Sequence, residues 1–249
     1  MARIAVAGAT GRVGRHVVDV LNENGHEVVA ISRSNGVDVI TGDGLAAALD
    51  GVESVIDTAT GPSPEQAAAT EFFTTAAGNL QQAGSRAGVR RMVVVSIIGA
   101  GKFTAGYGAA KVAHERAALA GPVPARILRA AQFHEFVEVL MAWGRQGDVC
   151  YLPRMRTQLV AARTVAEALA ALAVSPEGAP VAEIAGPREE YLADMAALLA
   201  ARRGEKVKIE AVSNPADPDD GLNSSGALLP GPDATLAGPT FAEWLDATL

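Results

Sequence analysis

Cysteine occurs once in the 249 residues, at Cys150, so no disulfide can close within the chain and a reducing, cytoplasmic compartment is expected. The histidines, His16, His26, His114 and His134, are too scattered for the ligand spacing of a zinc site, and no metal is expected. Aromatic residues make up only 4% of the chain, which leaves the core to Ala, Val, Leu and Ile and offers little material for stacking bases. Basic residues are outnumbered 21 to 28, and the resulting net charge of -7 opposes binding to a phosphate backbone. Nucleic acid is therefore not an expected partner. No segment supplies about 18 charge-free apolar residues, and Met1-Ala2-Arg3 leads at once into a short apolar run without the length or cleavage site of a signal peptide. The expectation is a soluble protein with no membrane partner.

What the chain does have is an ordered, globular composition, 49% hydrophobic and 20% charged. Short apolar runs alternate with helical patterns. Ile4 to Ala7, Glu27 to Ile31, Val37 to Ile40, Val52 to Thr58, Arg91 to Ile97 and Ala125 to Arg129 read as strands. Arg15 to Glu23, Leu45 to Leu49, Glu65 to Gly84, Gly108 to Leu119, Glu135 to Trp143, Thr164 to Val174 and Tyr191 to Arg203 read as helices. Alternation of this kind predicts an α/β fold with a doubly wound parallel sheet. Arg91 to Ile97, continuously apolar at its centre, suits a strand covered on both faces. Ser213 to Pro239 is rich in Pro, Gly, Asp and Ser and reads as a long loop before a last helix at Phe241 to Leu249. Residues 1–150 are expected to bind a dinucleotide, and 151–249 to complete the sheet and form a small substrate lobe, the two making one compact unit.

The motif that carries most chemistry is Gly8-Ala9-Thr10-Gly11-Arg12-Val13-Gly14, which follows a strand and opens a helix. Its glycines meet three demands: a tight turn at Gly8, close approach of backbone to a pyrophosphate at Gly11, and close helix-to-strand packing at Gly14. The next strand ends in Ser32-Arg33-Ser34, with no acid for a ribose 2′-hydroxyl. Arg33, joined by Arg12, suits a 2′-phosphate, so NADP(H) is expected in preference to NAD(H), the alternative being a solvated arginine. Asp43 suits the adenine edge or a helix N-cap equally. Thr58, Ala59 and Thr60, at the end of the fourth strand, join the expected cofactor-binding set, as does Lys111.

Tyr107 and Lys111 are four residues apart and share a helix face. A phenol with an ordinary pKa of about 10 is a poor acid-base group near neutrality, and an adjacent ammonium is expected to bring it down. Ser96 ends the central strand, where its hydroxyl suits donation to a carbonyl oxygen.

With these residues in view the chain resembles the short-chain dehydrogenase/reductases, within them the atypical NmrA-like NAD(P)-binding branch. The resemblance is carried by the glycine loop, Val94-Val95-Ser96, Tyr107 to Lys111, Leu128-Arg129-Ala130-Ala131-Gln132-Phe133, Gly186-Pro187 and Phe241 to Leu245. It implies an extended Rossmann sheet with a C-terminal substrate lobe and hydride transfer from NAD(P)H. It further implies Tyr107 as proton donor assisted by Lys111 and Ser96, and Ala130, Ala131, Gln132 and Phe133 beneath the nicotinamide. Members of the branch include both reductases and non-catalytic dinucleotide sensors, so a regulatory NAD(P)-sensing protein is the alternative to an enzyme.

His134, Phe136 and Trp143 stand after this segment and are expected to line a pocket for a small apolar or aromatic carbonyl compound or a quinone, or else to be core. His134 suits a second proton donor or a structural role. Cys150 reads as a small buried hydrophobe. A small-molecule substrate and a monomer or homodimer complete the expectation.

Overall fold

The computed structural model describes residues 1–249. β1 (Arg3–Ala7) is buried from Ile4 onward, and Gly8 turns the chain out of it in the left-handed region, at φ +75°. α1 (Gly14–Glu23) follows, burying Val17, Val20 and Leu21 on the single face that three- and four-residue spacing creates. β2 (Glu27–Ile31) returns parallel to β1, with Arg3 opposite Glu27 and Ala7 opposite Ile31.

The run Val37 to Ile40, expected as a strand, is a turn instead. Gly36 and Gly42 bracket it at φ +75° and +83°. Its backbone is satisfied by side chains, Asp38 accepting from the Ile40 N–H at 2.7 Å and Asn79 donating to the carbonyls of Val39 and Ile40 at 2.9 and 2.8 Å. Val37 and Val39 still pack on the core, so burial explains their apolar character without a strand.

The one-turn α2 (Leu45–Ala48) leads to β3 (Ser54–Asp57), buried throughout and paired with the other edge of β1. α3 (Gln66–Ala87) begins where the Glu65 side chain accepts from the N–H groups of Ala67 and Ala68. β4 (Arg91–Ile97), α4 (Gly106–Leu119) and β5 (Ala125–Ala130) continue the alternation. The sheet has seven strands in the order Thr235–Leu236, Val181–Ala185, β5, β4, β3, β1, β2. It is parallel, as the advancing bonds from Met92 N to Pro124 O and from Ile98 N to Ala130 O illustrate, both at 2.9 Å. Because β2 and β3 lie on opposite sides of β1, the direction of winding reverses there. Ligands of such sheets sit at the carboxyl ends of the strands at this switch.

Contacts group Met1–Ser96, Ala105–Arg129 and Val165–Ala182 into one compact unit, and Ile97–Thr104, Ala130–Thr164 and Glu183–Leu249 into another. The second has its own core of Val137, Met141, Cys150, Leu152, Leu192, Leu199 and Phe241, and a three-stranded sheet of Lys208–Val212, Val149–Pro153 and Arg145–Gln146. Its last helix, Phe241–Thr248, opens on a capping box in which Thr240 and Glu243 exchange side-chain and backbone bonds. The stretch expected as one long loop, Ser213 to Pro239, contains a short helix at Asp220–Ser225 and the edge strand Thr235–Leu236, which pairs with Ile184 and Ala185.

Candidate active site

The glycine loop is sterically determined at two of its three glycines. A Cβ on Gly8 would lie 2.8 Å from the backbone of Ala59, and one on Gly14 would lie 2.1 Å from the Gly8 carbonyl oxygen. At Gly11 a Cβ would lie 3.1 Å from the Gly8 carbonyl oxygen, a tight contact but a looser one than at the other two glycines. α1 begins with no side-chain cap, which leaves its first N–H groups without a side-chain acceptor. A small cradle beside an uncapped helix terminus fits a pyrophosphate.

Around this cradle the structure brings together the loops after β1, β2 and β3. The N–H groups of Gly8 and Ala9 donate to the Ile31 carbonyl at 3.0 and 3.3 Å, and the Thr58 hydroxyl donates to the Ala7 carbonyl at 2.7 Å. Ser32 lies at the end of β2, its hydroxyl 2.8 Å from that of Ser34, and Arg33 and Arg12 are exposed. Asp43 accepts from the Thr41 hydroxyl at 2.7 Å, whereas α2 starts after Gly44 with no side-chain cap, so Asp43 is not its N-cap.

Tyr107 lies in the first turn of α4, where the Gly106 N–H donates to Gln66 at 2.9 Å. Its hydroxyl is 3.3 Å from that of Thr60, and its ring meets Phe73 edge-on at 5.6 Å. Burial pushes the phenol above its ordinary pKa, with the Thr60 bond opposing. That differs from the expected lowering by Lys111, and the position of the ammonium explains why. Lys111 is 4% exposed and turns inward. Its Nζ donates to the Val95 carbonyl at 2.8 Å, contacts His114 Nδ1 at 2.9 Å and stands 4.3 Å above the Phe73 ring.

The inward turn joins Lys111 to a buried polar chain that sequence reasoning missed. His114 Nε2 lies 3.0 Å from Asp57 Oδ2, and Asp57 also accepts from the Ala59 N–H at 2.9 Å. The imidazole stacks on Phe73 at 4.6 Å and 12°. Burial lowers Lys111 to about 8 despite the opposing charges of Asp57 and Glu115. Burial and then the Lys111 charge push His114 down. Burial alone would raise Asp57, but the bond and charge of His114 hold its carboxyl below the ordinary value. Near neutrality the set is carboxylate, neutral imidazole and ammonium. Only the three-residue step from Lys111 to His114, and the adjacency of Asp57 to Thr58, hint at this in the sequence.

Ser96 is buried, 3% exposed, and its hydroxyl makes no bond of normal geometry. It lies near enough to Glu115 to help hold that carboxyl down, against burial and behind the larger effect of Arg129. Arg129 grips Glu115 with two bonds, of 2.9 and 2.6 Å.

In the second unit, Ala131 N donates to Ile184 O at 2.9 Å, Gln132 accepts from the Thr157 hydroxyl, and Phe133 bridges to Val160. Ala130 and Ala131 are buried, and Gln132 and Phe133 half-buried. His134 is buried, bonded through Nε2 to the Pro239 carbonyl at 3.1 Å and set against Phe241 and Trp244. Burial lowers its pKa to about 4. Phe136 meets Trp143 edge-on at 5.7 Å, and Trp143 is 63% exposed. Cys150 is buried, its thiol donating to the Met141 carbonyl.

Residues 8–131 match the family model described as NAD(P)H-binding. That region of the chain is thus similar to an NAD(P)H-binding domain. Solved structures of similar fold include an NADPH-dependent quinone oxidoreductase, QOR2, from Escherichia coli, complexed with NADPH. It is 19% identical, with a TM-score of 0.71 over 98% of this chain and 99% of that one. A UDP-N-acetylglucosamine 4-epimerase from Bacillus cereus is 18% identical, with a TM-score of 0.72 over 99% and 95%. A short-chain dehydrogenase/reductase superfamily protein from Agrobacterium tumefaciens with bound NAD is 18% identical, with a TM-score of 0.70 over 98% and 95%. At these identities the likeness is one of fold. No curated protein matches the chain by sequence. No helix is long and apolar enough to cross a membrane.

Proposed function

We propose that this NAD(P)H-binding protein is a reductase of the NmrA-like branch that prefers NADPH to NADH and reduces a small apolar or aromatic carbonyl compound or quinone, with Tyr107 as proton donor. The observation that carries the reading is the Tyr107 hydroxyl beside Thr60, 3.3 Å away, with the ammonium of Lys111 buried one helical turn on. Gly8, Gly11, Gly14 and the start of α1 would hold the pyrophosphate. Arg33, with Arg12, Ser32 and Ser34, would hold the 2′-phosphate, and Asp43 the adenine edge. The bound cofactor supplies a hydride.

Tyr107, raised above the ordinary phenol value by burial, is protonated at neutral pH and in the free protein is a weaker acid than an ordinary phenol. It donates its proton to the substrate oxygen, and the Thr60 hydroxyl beside it favours the phenolate it becomes. Thr60 supplies a hydroxyl beside Tyr107, and Ser96 would orient the oxygen only by turning out of its buried position beside Glu115. Ala130 to Phe133 would run beneath the nicotinamide, with His134, Phe136 and Trp143 toward the substrate. Residues 1–150 would serve the dinucleotide and 151–249 the substrate. The single buried cysteine suits a reducing, cytoplasmic compartment.

A second reading, a dinucleotide sensor without turnover, is favoured by one observation: the Lys111 ammonium is engaged by Val95 and His114. The deciding experiment is NADPH consumption by the purified protein across a panel of quinones and aromatic ketones, with NADPH binding measured in parallel. Turnover of any panel member above the background rate supports the reductase. Binding without consumption of NADPH supports the sensor.

A further inference from the structure

Lys111 is an ammonium buried where an isolated charge is costly, and no carboxylate touches it directly. Its acceptors are the Val95 carbonyl of β4, at 2.8 Å, and His114 Nδ1, at 2.9 Å, while α3 contributes the face of Phe73. The carboxylate is one residue removed: Asp57 of β3 meets the far side of the same imidazole, at 3.0 Å. Glu115, the other acid facing the ammonium, is already paired with Arg129 of β5. Protonation follows from this order. An ionised carboxylate accepts only, so His114 Nε2 carries the ring proton, Nδ1 presents a lone pair, and the ammonium donates to it.

We propose that His114, oriented by Asp57, is the positioning residue for Lys111: the neutral imidazole conveys the Asp57 charge to the ammonium and holds it as a cation one turn beyond Tyr107. The anchoring of Lys111 does not rest on the reductase reading. Asp57 also fixes the turn behind the glycine loop through Ala59 N, the residue against which Gly8 packs. One carboxylate thus serves both the dinucleotide cradle and the lysine.

Substitutions separate this role from packing. His114→Gln keeps the bridge, since its amide oxygen can accept from Lys111 and its NH2 can donate to Asp57, but it loses the ring stacked on Phe73. His114→Phe keeps a ring and loses both bonds. Asp57→Asn reverses the bridge. With its carbonyl needed by Ala59 N, its amide donates to His114 Nε2 and drives the ring proton to Nδ1, facing the ammonium.

The test is nitrogen-15 NMR of the cofactor-free protein, labelled at histidine and lysine. The chain has only four lysines, Lys102, Lys111, Lys206 and Lys208, so Lys111 is assignable by Lys111→Arg. Expected are the Nε2–H tautomer for His114 and a Lys111 midpoint that falls by at least about one pH unit in His114→Phe and Asp57→Asn but recovers in His114→Gln. Thermal unfolding of each variant verifies that it is folded, and the wild-type tautomer is informative whether or not the variants fold. An Nδ1–H tautomer in the wild type, or a Lys111 midpoint that is unchanged in folded His114→Phe, overturns the proposal. Failure of the protein to turn over NADPH with this NMR pattern intact removes the reductase reading and leaves the anchoring of Lys111 standing.

Discussion

His114 Nε2 meets Asp57 Oδ2 at 3.0 Å across 57 residues of sequence, with both side chains 1% exposed. This contact ties α4, which carries Tyr107 and Lys111, to the end of β3, which backs the glycine loop. The expected acid-base residues and the expected dinucleotide cradle therefore share one buried support. Removing either member would leave a polar group stranded in a dry site, at a cost of about 1–3 kcal/mol and more if charged.

Gly14 should be the least replaceable glycine of the loop. Its Cβ would press on the Gly8 carbonyl at 2.1 Å, a backbone atom that cannot swing away. Gly14→Ala is expected to destabilise the fold by about 1–3 kcal/mol and to weaken NADPH binding, as read by thermal unfolding and fluorescence titration. Gly11→Ala, whose Cβ would lie 3.1 Å from the same carbonyl oxygen, should cost less stability than Gly14→Ala and is expected to weaken NADPH binding as well.

His134 makes stability depend on pH. Its folded pKa of about 4 lies below the ordinary histidine value of 6.5, so between these limits the unfolded chain holds more protons than the folded one. Stability conferred by the neutral, buried ring is complete above pH 6.5 and is lost as pH falls toward 4, by about 3 kcal/mol. Urea titrations at several pH values should show this loss, and His134→Phe should remove that part of the slope.

Arg33 tests cofactor choice. A guanidinium bonded to a phosphate contributes about 1.5–3 kcal/mol, so Arg33→Ala is expected to weaken NADPH binding by about tenfold to a hundredfold while leaving NADH within about twofold. Equal loss for both cofactors would show that Arg33 supports the loop rather than reading the 2′-phosphate.

The glycine loop was legible in the sequence because its demands are local: a strand, a tight turn and a helix lie within a few residues of one another. The parallel sheet was legible for a similar reason, in the apolar run of β4 and the steady alternation around it. Val37 to Ile40 misled because a β-branched run registers burial as well as extension, and here glycines and the Asn79 amide fold it into a turn. The partnership of Asp57, His114 and Lys111 was hidden for a different reason. It depends on the approach of α4 to β3, which no spacing along the chain encodes. The direction of Lys111 was likewise illegible, since helical spacing puts it on the face of Tyr107 but does not say which acceptor the long side chain finds.

The measurement that bears most directly on the account is a comparison of wild type and Tyr107→Phe with NADPH and the best acceptor of the panel. Loss of a positioned general acid costs about 10²–10⁴ in rate, and the phenyl ring keeps the edge contact with Phe73. Turnover reduced at least about a hundredfold, with NADPH affinity within about twofold of wild type, is the predicted result. Equal turnover by the two proteins would contradict the role of Tyr107 as proton donor.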